Sequence, residues 1–219
     1  MVKEVAVLNE KQVPLVVIRR LPRYHRYLGD LLDNNITRVS STELSEKMGV
    51  TASQIRQDLN CFGGFGQQGY GYNVELLYQS ITSILGLDRK HKIIIVGAGN
   101  LGRALANYGG LEKRGFEIIA VFDTDEKVIG TDIIGLKVRD YSQISEFTKN
   151  NTVDIAILTV PKANVNSVAE KVASCGVKAL WNFAHVDLAL PGDVVVENVH
   201  LSDSLMTLSF RMHNSGEVQ

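Results

Sequence analysis

The residues best placed to do chemistry lie in Lys92–Gly102, KIIIVGAGNLG. Gly97-Ala98-Gly99-Asn100-Leu101-Gly102 spells G-x-G-x-x-G. It follows four apolar residues, Ile93 to Val96, and precedes a helical pattern of Leu101, Ala104, Leu105 and Tyr108. Such a loop between strand and helix holds a pyrophosphate on backbone N–H groups at the helix N-terminus. Gly97 allows the tight turn, Gly99 lets the backbone approach phosphate oxygens, and Gly102 lets helix and strand pack closely. About twenty residues further on, the run Glu117–Phe122 ends in Asp123. A carboxylate there binds the free ribose hydroxyls of NAD and repels the extra phosphate of NADP. NADH or NAD+ is therefore the expected ligand, and the alternative is a glycine turn that serves packing alone.

A site of this kind needs a parallel sheet behind it. Strands are predicted at Lys92–Val96, Glu117–Phe122, Leu136–Arg139, Val153–Leu158, Lys178–Trp181 and Val194–Val196. Helices are predicted at Leu101–Gly109, Tyr141–Asn150, Pro161–Cys175 and Ser202–Met212. Alternating β and α units give a doubly wound α/β fold with right-handed crossovers. Ligands in such folds bind beyond the carboxyl ends of the strands. That adds Thr159-Val160-Pro161 and Asn182-Phe183-Ala184-His185 as candidate lining. Thr159 and Asn182 suit the ribose or carboxamide, and Phe183 suits a cover for the ring. The last helix carries Leu201, Leu205, Leu208 and Met212 on one stripe, with Met206 and Phe210 beside it. Such a helix docks on its own domain or is exchanged between subunits.

The first part of the chain reads differently. Pro14 and Pro22 suit helix starts, and Leu21, Tyr24, Leu28, Leu31 and Leu32 form an apolar helical stripe. Lys11, Arg19, Arg20, Arg23, Arg26 and Arg38 surround it against Asp30 and Asp33, six basic against two acidic, a local excess of +4. That is either a solvated face or one that meets phosphates. Two capping boxes follow, Ser40-Ser41-Thr42-Glu43 and Thr51-Ala52-Ser53-Gln54, separated by the stop signal Gly49. Two short capped helices joined by a tight turn form a helix-turn-helix. On the second helix Ala52, Ile55 and Leu59 would face inward, leaving Ser53, Gln54, Arg56, Gln57 and Asn60 outward. Those types suit base edges. Phe62–Tyr72, FGGFGQQGYGY, then reads as a glycine-rich hairpin, a wing, whose aromatics Phe65, Tyr70 and Tyr72 set it apart from a flexible linker. A fourth helix is predicted over Val74–Leu85.

The 219 residues allow one or two domains, and a formal net charge of −1 supplies no global pull toward nucleic acid. No apolar run approaches the roughly 18 residues that span a membrane, and the start lacks a signal-peptide pattern. Cys61 and Cys175 sit in no metal or redox spacing, so no metal is expected and the compartment reads as cytoplasmic. The expected division is a winged-helix domain over 1–86, a Rossmann domain over 87–199 and a C-terminal helix over 200–219.

With both halves read, the chain resembles the Rex family of NADH-sensing transcriptional repressors. The resemblance is carried by Arg20-Leu21-Pro22 with Tyr24 and Arg26, Ser40-Ser41 with Leu44, Gln54-Ile55-Arg56-Gln57-Asp58-Leu59, Phe62–Gly66 and Gly69–Val74. In the second half Gly97–Gly102, Phe122-Asp123, Thr159–Pro161, Asn182–Ala184 and Glu197–Val199 match. It implies a homodimer on a palindromic double-stranded operator, a C-terminal helix swapped into the partner, and release from DNA when NADH binds. The cofactor set expected is Gly97, Ala98, Gly99, Asn100, Leu101, Gly102, Tyr108, Asp123, Thr159, Val160, Asn182 and Phe183. The set expected at DNA is Arg20, Ser40, Thr51, Ser53, Gln54, Arg56, Gln57, Asn60, Phe65, Gly66 and Tyr70. Two positions depart from the family pattern: His185 replaces a usual Pro, and His200 a usual Asp. A charge switch proposed for the family pairs that Asp with the residues matching Arg26 and Tyr108. The rival reading is a small NAD-dependent oxidoreductase with His185, His200 or Tyr108 as acid or base. No Ser-Tyr-Lys or His-carboxylate spacing accompanies them, and no stretch remains for a substrate domain.

Overall fold

A computed structural model describes residues 13–62, 66–67, 71–190 and 192–214. The chain falls into two compact units that part between Asp88 and Arg89.

The first unit contains helices α1 (Leu15–Ile18), α2 (Leu21–Asp33), α3 (Ser41–Met48), α4 (Ala52–Asn60) and α5 (Val74–Ile84). Its sheet is β1 (Arg38–Val39), β2 (Gly66–Gln67) and β3 (Gly71–Asn73) in the order β1-β3-β2. The helix starts follow their caps. Ser40 and Glu43 form a reciprocal capping box on α3, and Gly49 ends that helix at φ 63°. The Thr51 hydroxyl accepts from Gln54 N at 3.1 Å on α4, and Asn73 Oδ1 accepts from Leu76 N at 2.9 Å on α5. Leu21, Tyr24, Leu28, Leu44, Ile55, Leu77 and Ile81 fill one core. The wing is the expected hairpin, with Gly66 opposite Tyr72, but β1 adds a strand that the sequence reading omitted. Gly71 is required where it stands: φ is +69°, and a Cβ would meet the Val39 carbonyl at 2.7 Å.

The second unit is a six-stranded, all-parallel sheet in the order β11-β10-β9-β4-β5-β8. Its strands are β4 (His91–Val96), β5 (Phe116–Asp123), β8 (Arg139–Asp140), β9 (Ile155–Leu158), β10 (Ala179–Asn182) and β11 (Val195–Asn198). Its helices are α6 (Asn100–Ala106), α7 (Ile144–Asn150), α8 (Val165–Ser174) and α9 (Leu201–Asn214). The unbroken apolar run of β4 is explained by the pleat. Ile94 and Val96 enter the cluster under α7 and α8, while Ile93 and Ile95 enter the opposite cluster with Ala106 of α6. Each buried isoleucine contributes about 2–3 kcal/mol by burial.

One expectation is corrected. Leu136–Arg139 is not one strand. Leu136–Lys137 (β7) pairs antiparallel with Asp132–Ile133 (β6), and only Arg139–Asp140 joins the main sheet. The break is a two-residue turn with φ 52° at Ile134 and 79° at Gly135. Such turns favour Asn-Gly, and a β-branched residue in the left-handed region is strained. Ile134→Asn is therefore expected to raise stability by about 1 kcal/mol in urea denaturation. Of the two options for α9, docking on its own unit is not what the chain shows. Its apolar stripe stays largely exposed: Leu201, Leu205, Met206, Leu208, Phe210 and Met212 are 52–71% exposed.

Candidate functional site

In the second unit the chain order places β4 at the centre, runs to β5 and β8 on one side, then returns to β9 on the other. The carboxyl ends of β4 and β9 therefore part at the point where ligands bind in open parallel sheets. A cavity of 710 Å³ lies there, lined by Val96, Gly97, Gly99, Asp123, Thr124, Tyr141, Thr159, Val160, Pro161, Asn164, Ser167 and Val168.

The three loop glycines have different jobs. Gly97 has φ +105°, and a Cβ on it would sit 2.8 Å from the Thr159 carbonyl oxygen. A Cβ on Gly102 would fall 1.9 Å from the Gly97 oxygen. Both are fixed by the protein's own packing. Gly99 has ordinary extended angles, φ −69° and ψ −171°, and a Cβ there would meet nothing within 4 Å. Neither strain nor crowding requires glycine at 99; an incoming phosphate would. Gly99 caps α6, whose first N–H groups, from Asn100, Leu101 and Gly102, have no intrahelical acceptor. The Ala98 N–H is already engaged: it donates to Asp123 Oδ2 at 2.5 Å. Asp123 Oδ1 accepts from Thr124 N and Asp125 N at 2.7 and 2.9 Å. The carboxylate thus braces the glycine loop and keeps the rest of its acceptor capacity at the cavity. Arg103 closes the loop from behind, donating Nε to the Ala98 oxygen at 2.9 Å. The Thr159 hydroxyl donates to the Gly97 oxygen at 2.7 Å and so ties β9 to the turn.

Gly97, Gly99, Asp123, Thr159 and Val160 therefore share one cavity, with Ala98, Asn100, Leu101 and Gly102 forming its loop and helix start. Three expected residues stand elsewhere. Asn182 is fully buried, and its amide is satisfied internally by the Val186 oxygen and Asn198 Oδ1 as acceptors and the Ala184 N–H as donor. The expectation that it bonds ribose or carboxamide is corrected; it holds the loop after β10. Phe183 is packed edge-on to Trp181 at 4.7 Å in the core beside Ala98 and does not line the cavity. Tyr108 is 56% exposed and also lies outside it. Tyr141 and the α8 residues Ser167 and Val168 escaped the sequence reading, because the motif marks strand ends and not the helix that follows.

In the first unit, Ile55 and Leu59 point into the core as expected, and Ser53, Arg56, Gln57 and Asn60 are exposed along α4. Ser40 and Thr51 act as helix caps. Gly66 lies in β2, while Lys11, Phe65 and Tyr70 fall outside the described residues. The unexpected residue is Asp58, which occupies an inward position between Ile55 and Leu59 and has no exposed surface. Four bonds satisfy it: Arg20 Nε and Nη2, both at 2.6 Å, the Tyr24 hydroxyl at 2.8 Å and Gln54 Nε2 at 2.8 Å. Burial raises the Asp58 carboxyl pKa, and the bonds from Arg20, Gln54 and Tyr24 more than reverse that, leaving it below the ordinary carboxylate range. Arg20, expected at DNA, is here an internal partner that ties the start of α2 to α4 through Nε and Nη2. Gln54, expected at a base edge, is held on the same carboxylate. The signal was legible in principle: an acid at an inward helical position demands a cation or donors.

Two family models match the chain: "Putative DNA-binding protein N-terminus" over residues 12–60 and "CoA binding domain" over residues 88–186. The redox-sensing transcriptional repressor Rex of Caldanaerobacter subterraneus subsp. tengcongensis is 58% identical over 201 residues, 92% of this chain and 90% of its own. That of Clostridioides difficile is 56% identical over 206 residues, covering 94% of this chain and 98% of its own. This chain belongs to the Rex family of redox-sensing transcriptional repressors. Among solved structures, RSP in complex with beta-NAD+ and operator DNA matches with a TM-score of 0.87 and 56% identity over 94% of both chains. RSP in complex with beta-NADH matches with a TM-score of 0.87 and 53% identity over 94% of this chain and 97% of that one.

These Rex relatives are named as repressors and not as enzymes, which disfavours the oxidoreductase reading. Among the described residues no helix is long and apolar enough to cross a membrane, and no group of three or more His, Cys, Asp or Glu side chains stands ready for a metal. His185 and His200 meet each other here. His200 pairs with Asp187, Nε2 to Oδ1 2.8 Å, and its ring lies nearly parallel to that of His185 at 6.4 Å. The hydrogen bond that His200 donates to Asp187 raises its pKa above that of an ordinary imidazole. His200 thus has a carboxylate partner of its own in Asp187.

Proposed function

We propose that this chain is a homodimeric, cytoplasmic repressor that grips a palindromic operator through its winged helices and lets go when NADH binds the cavity beside Gly99. The observation that carries the ligand is Gly99 itself, a glycine that no internal contact needs, facing the same cavity as the Asp123 carboxylate. Asp123 suits an adenosine ribose with free hydroxyls and would repel a phosphate on that ring. This favours NAD(H) over coenzyme A, whose adenosine ribose is phosphorylated. The nicotinamide ring is cationic in NAD+ and neutral in NADH, so a site that excludes water as it closes prefers the reduced form.

The exposed apolar stripe of α9 supports the dimer, since a helix with six large apolar side chains in water calls for a covering surface. The same unit carries such a surface, a 330 Å³ apolar cavity walled by Ile93, Leu111, Phe116, Trp181 and Val195 beside β10 and β11. Exchange of α9 between two copies would satisfy both. Leu205→Asp should therefore shift the protein from dimer to monomer in sedimentation.

A dimer must hold its two recognition helices one helical turn, or a multiple, apart, so a relative rotation is enough to break the fit. Moving the population from 1:99 to 99:1 takes about 5.5 kcal/mol of differential binding, which two NADH sites can share. Arg56→Ala and Gln57→Ala should each lower operator affinity by roughly 1–3 kcal/mol in fluorescence anisotropy if they contact bases. The reading as a whole is tested by mobility shift on DNA selected from a randomised duplex pool. NADH should release the protein, while NAD+ and coenzyme A should not. Release by coenzyme A alone, or no selected duplex, overturns it.

A further inference from the structure

Helix α9 leaves the sheet at a short hinge: β11 ends at Asn198, α9 begins at Leu201, and only Val199 and His200 lie between. The loop after β10 is tied to this exit. Asn182 Nδ2 donates to the Val186 oxygen at 2.8 Å, the Leu188 N–H donates to Asn198 Oδ1 at 3.1 Å, and Asn198 Nδ2 donates back to the Leu188 oxygen at 3.3 Å. Asp187 therefore stands between two anchored residues, and its Oδ1 accepts from His200 Nε2 at 2.8 Å. The Val199 N–H donates to the Asn182 oxygen at 2.8 Å, so the chain is fixed as far as His200. The other titratable groups that bear on His200 are His185, whose ring lies nearly parallel on the same loop, and Asp203 in the first turn of α9.

Two courses are open to a helix that starts there. Turned back across the sheet, α9 reaches the apolar cavity of its own unit. Its 14 residues make it about 21 Å long, and a six-residue strand such as β4 is about 20 Å long. The helix therefore spans from the carboxyl end of the sheet, where it begins, to the amino ends of the strands, where Phe116, Ala179 and Val195 wall the cavity. Turned outward, α9 leaves that cavity to the same helix of a second copy. The structure has the outward course, with Leu205, Leu208 and Phe210 exposed, and the His200–Asp187 bond is made in that state. Folding back needs a turn at His200, because Val199 stays tied to Asn182. That turn draws the imidazole away from an Asp187 whose loop is held in place.

Resting on the dimer reading above, we propose that the His200–Asp187 pair is a latch that holds α9 in the outward course needed for exchange, and that it loosens as pH rises. With His200 protonated, the bond joins an imidazolium to a carboxylate and favours the outward state. With His200 neutral, an ordinary hydrogen bond remains and α9 turns back more readily on its own unit. The sign follows from the pair: Asp187 holds the His200 pKa above its ordinary value, so the charge is fully present below that ordinary value and is lost as pH rises through the raised one. The His200 and Asp187 side chains are 24% and 79% exposed, so water screens the pair and each latch contributes a factor of about three. A dimer that needs two outward helices feels it twice.

The test is sedimentation of the fluorescently labelled full-length protein between about pH 6 and about pH 8, with urea added where dilution alone leaves the dimer intact. Wild type, Asp187→Asn, His200→Asn and His185→Asn are compared, and a thermal midpoint at each pH reports whether each is folded. The wild-type dimer dissociation constant should rise about tenfold across this range. Asp187→Asn and His200→Asn should sit near the high-pH wild-type value throughout, with a flat profile. His185→Asn, which leaves the pair intact, should keep the wild-type slope. A wild-type constant that does not change with pH overturns the latch, and so does a folded Asp187→Asn protein with the wild-type slope. A slope removed by His185→Asn and kept by Asp187→Asn overturns it too. Should His200→Asn not fold, Asp187→Asn alone decides. A wild-type protein that is monomeric at every pH would sink the dimer reading itself, a different result from any of these.

Discussion

Asp58→Ala is expected to cost the DNA-binding unit about 3 kcal/mol and, with it, operator binding. The carboxylate has no exposed surface and accepts from Arg20, Tyr24 and Gln54. Its removal leaves the Tyr24 hydroxyl buried without its acceptor and a guanidinium half-withdrawn from water. The Arg20 side chain is 23% exposed, so part of its charge can be rehydrated, which keeps the loss near the lower end of what broken buried pairs cost. Urea denaturation followed by far-UV circular dichroism measures it, and an unchanged midpoint would refute the role given to this cluster. The same pair fixes a pH dependence. The folded-state pKa of Asp58 lies below its ordinary value, so its contribution is fully present above the unfolded pKa. It is lost as pH falls through the lower, folded value. The first unit should therefore lose stability below about pH 4, and the Asp58→Ala variant should show a flatter profile there.

The second large effect separates Gly102 from Gly99, three residues apart on the loop and its helix. Gly102→Ala drives a methyl group into the Gly97 carbonyl, a backbone atom that cannot step aside without moving the turn. A loss of about 3 kcal/mol and of NADH binding is expected together. Gly97→Ala should behave similarly, since it faces the Thr159 backbone at a positive φ. Gly99→Ala meets no protein atom. Its midpoint should stay within about 0.5 kcal/mol of wild type while NADH affinity falls. Thermal melts with and without NADH read both quantities in one experiment. A Gly99→Ala protein with wild-type affinity would remove the close phosphate approach from the proposal.

What the sequence disclosed and what it hid divide along a physical line. Patterns that are local in the chain were readable: the apolar run of β4, the caps Ser40, Thr51 and Asn73, the stop at Gly49, and the glycines of the dinucleotide loop. Each acts on atoms within a few residues of itself. Partnerships across the chain were not readable. Arg20 and Asp58 are 38 positions apart, and only the packing of α2 on α4 reveals that the arginine serves the protein's interior. Asn182 carried the right chemistry for a ligand, and the neighbouring strand end at Asn198 claimed it first. Tyr141 follows a two-residue edge strand too short to leave a periodic trace, and Ile134 gives no turn signal of the Asn-Gly kind. The exposure of α9 was foreseen only as one of two options, because an apolar stripe says that a helix must be covered and not by what.

Gln54 is moored to the same carboxylate that anchors the helix, whereas Ser53, Arg56, Gln57 and Asn60 stand clear of the interior. Substitutions at Ser53, Gln57 and Asn60 therefore leave the buried cluster on α2 and α4 intact, whereas one at Arg56 also releases its bond to Ser41 on α3. A change at Gln54 or Asp58, by contrast, would have to be matched at Arg20 and Tyr24.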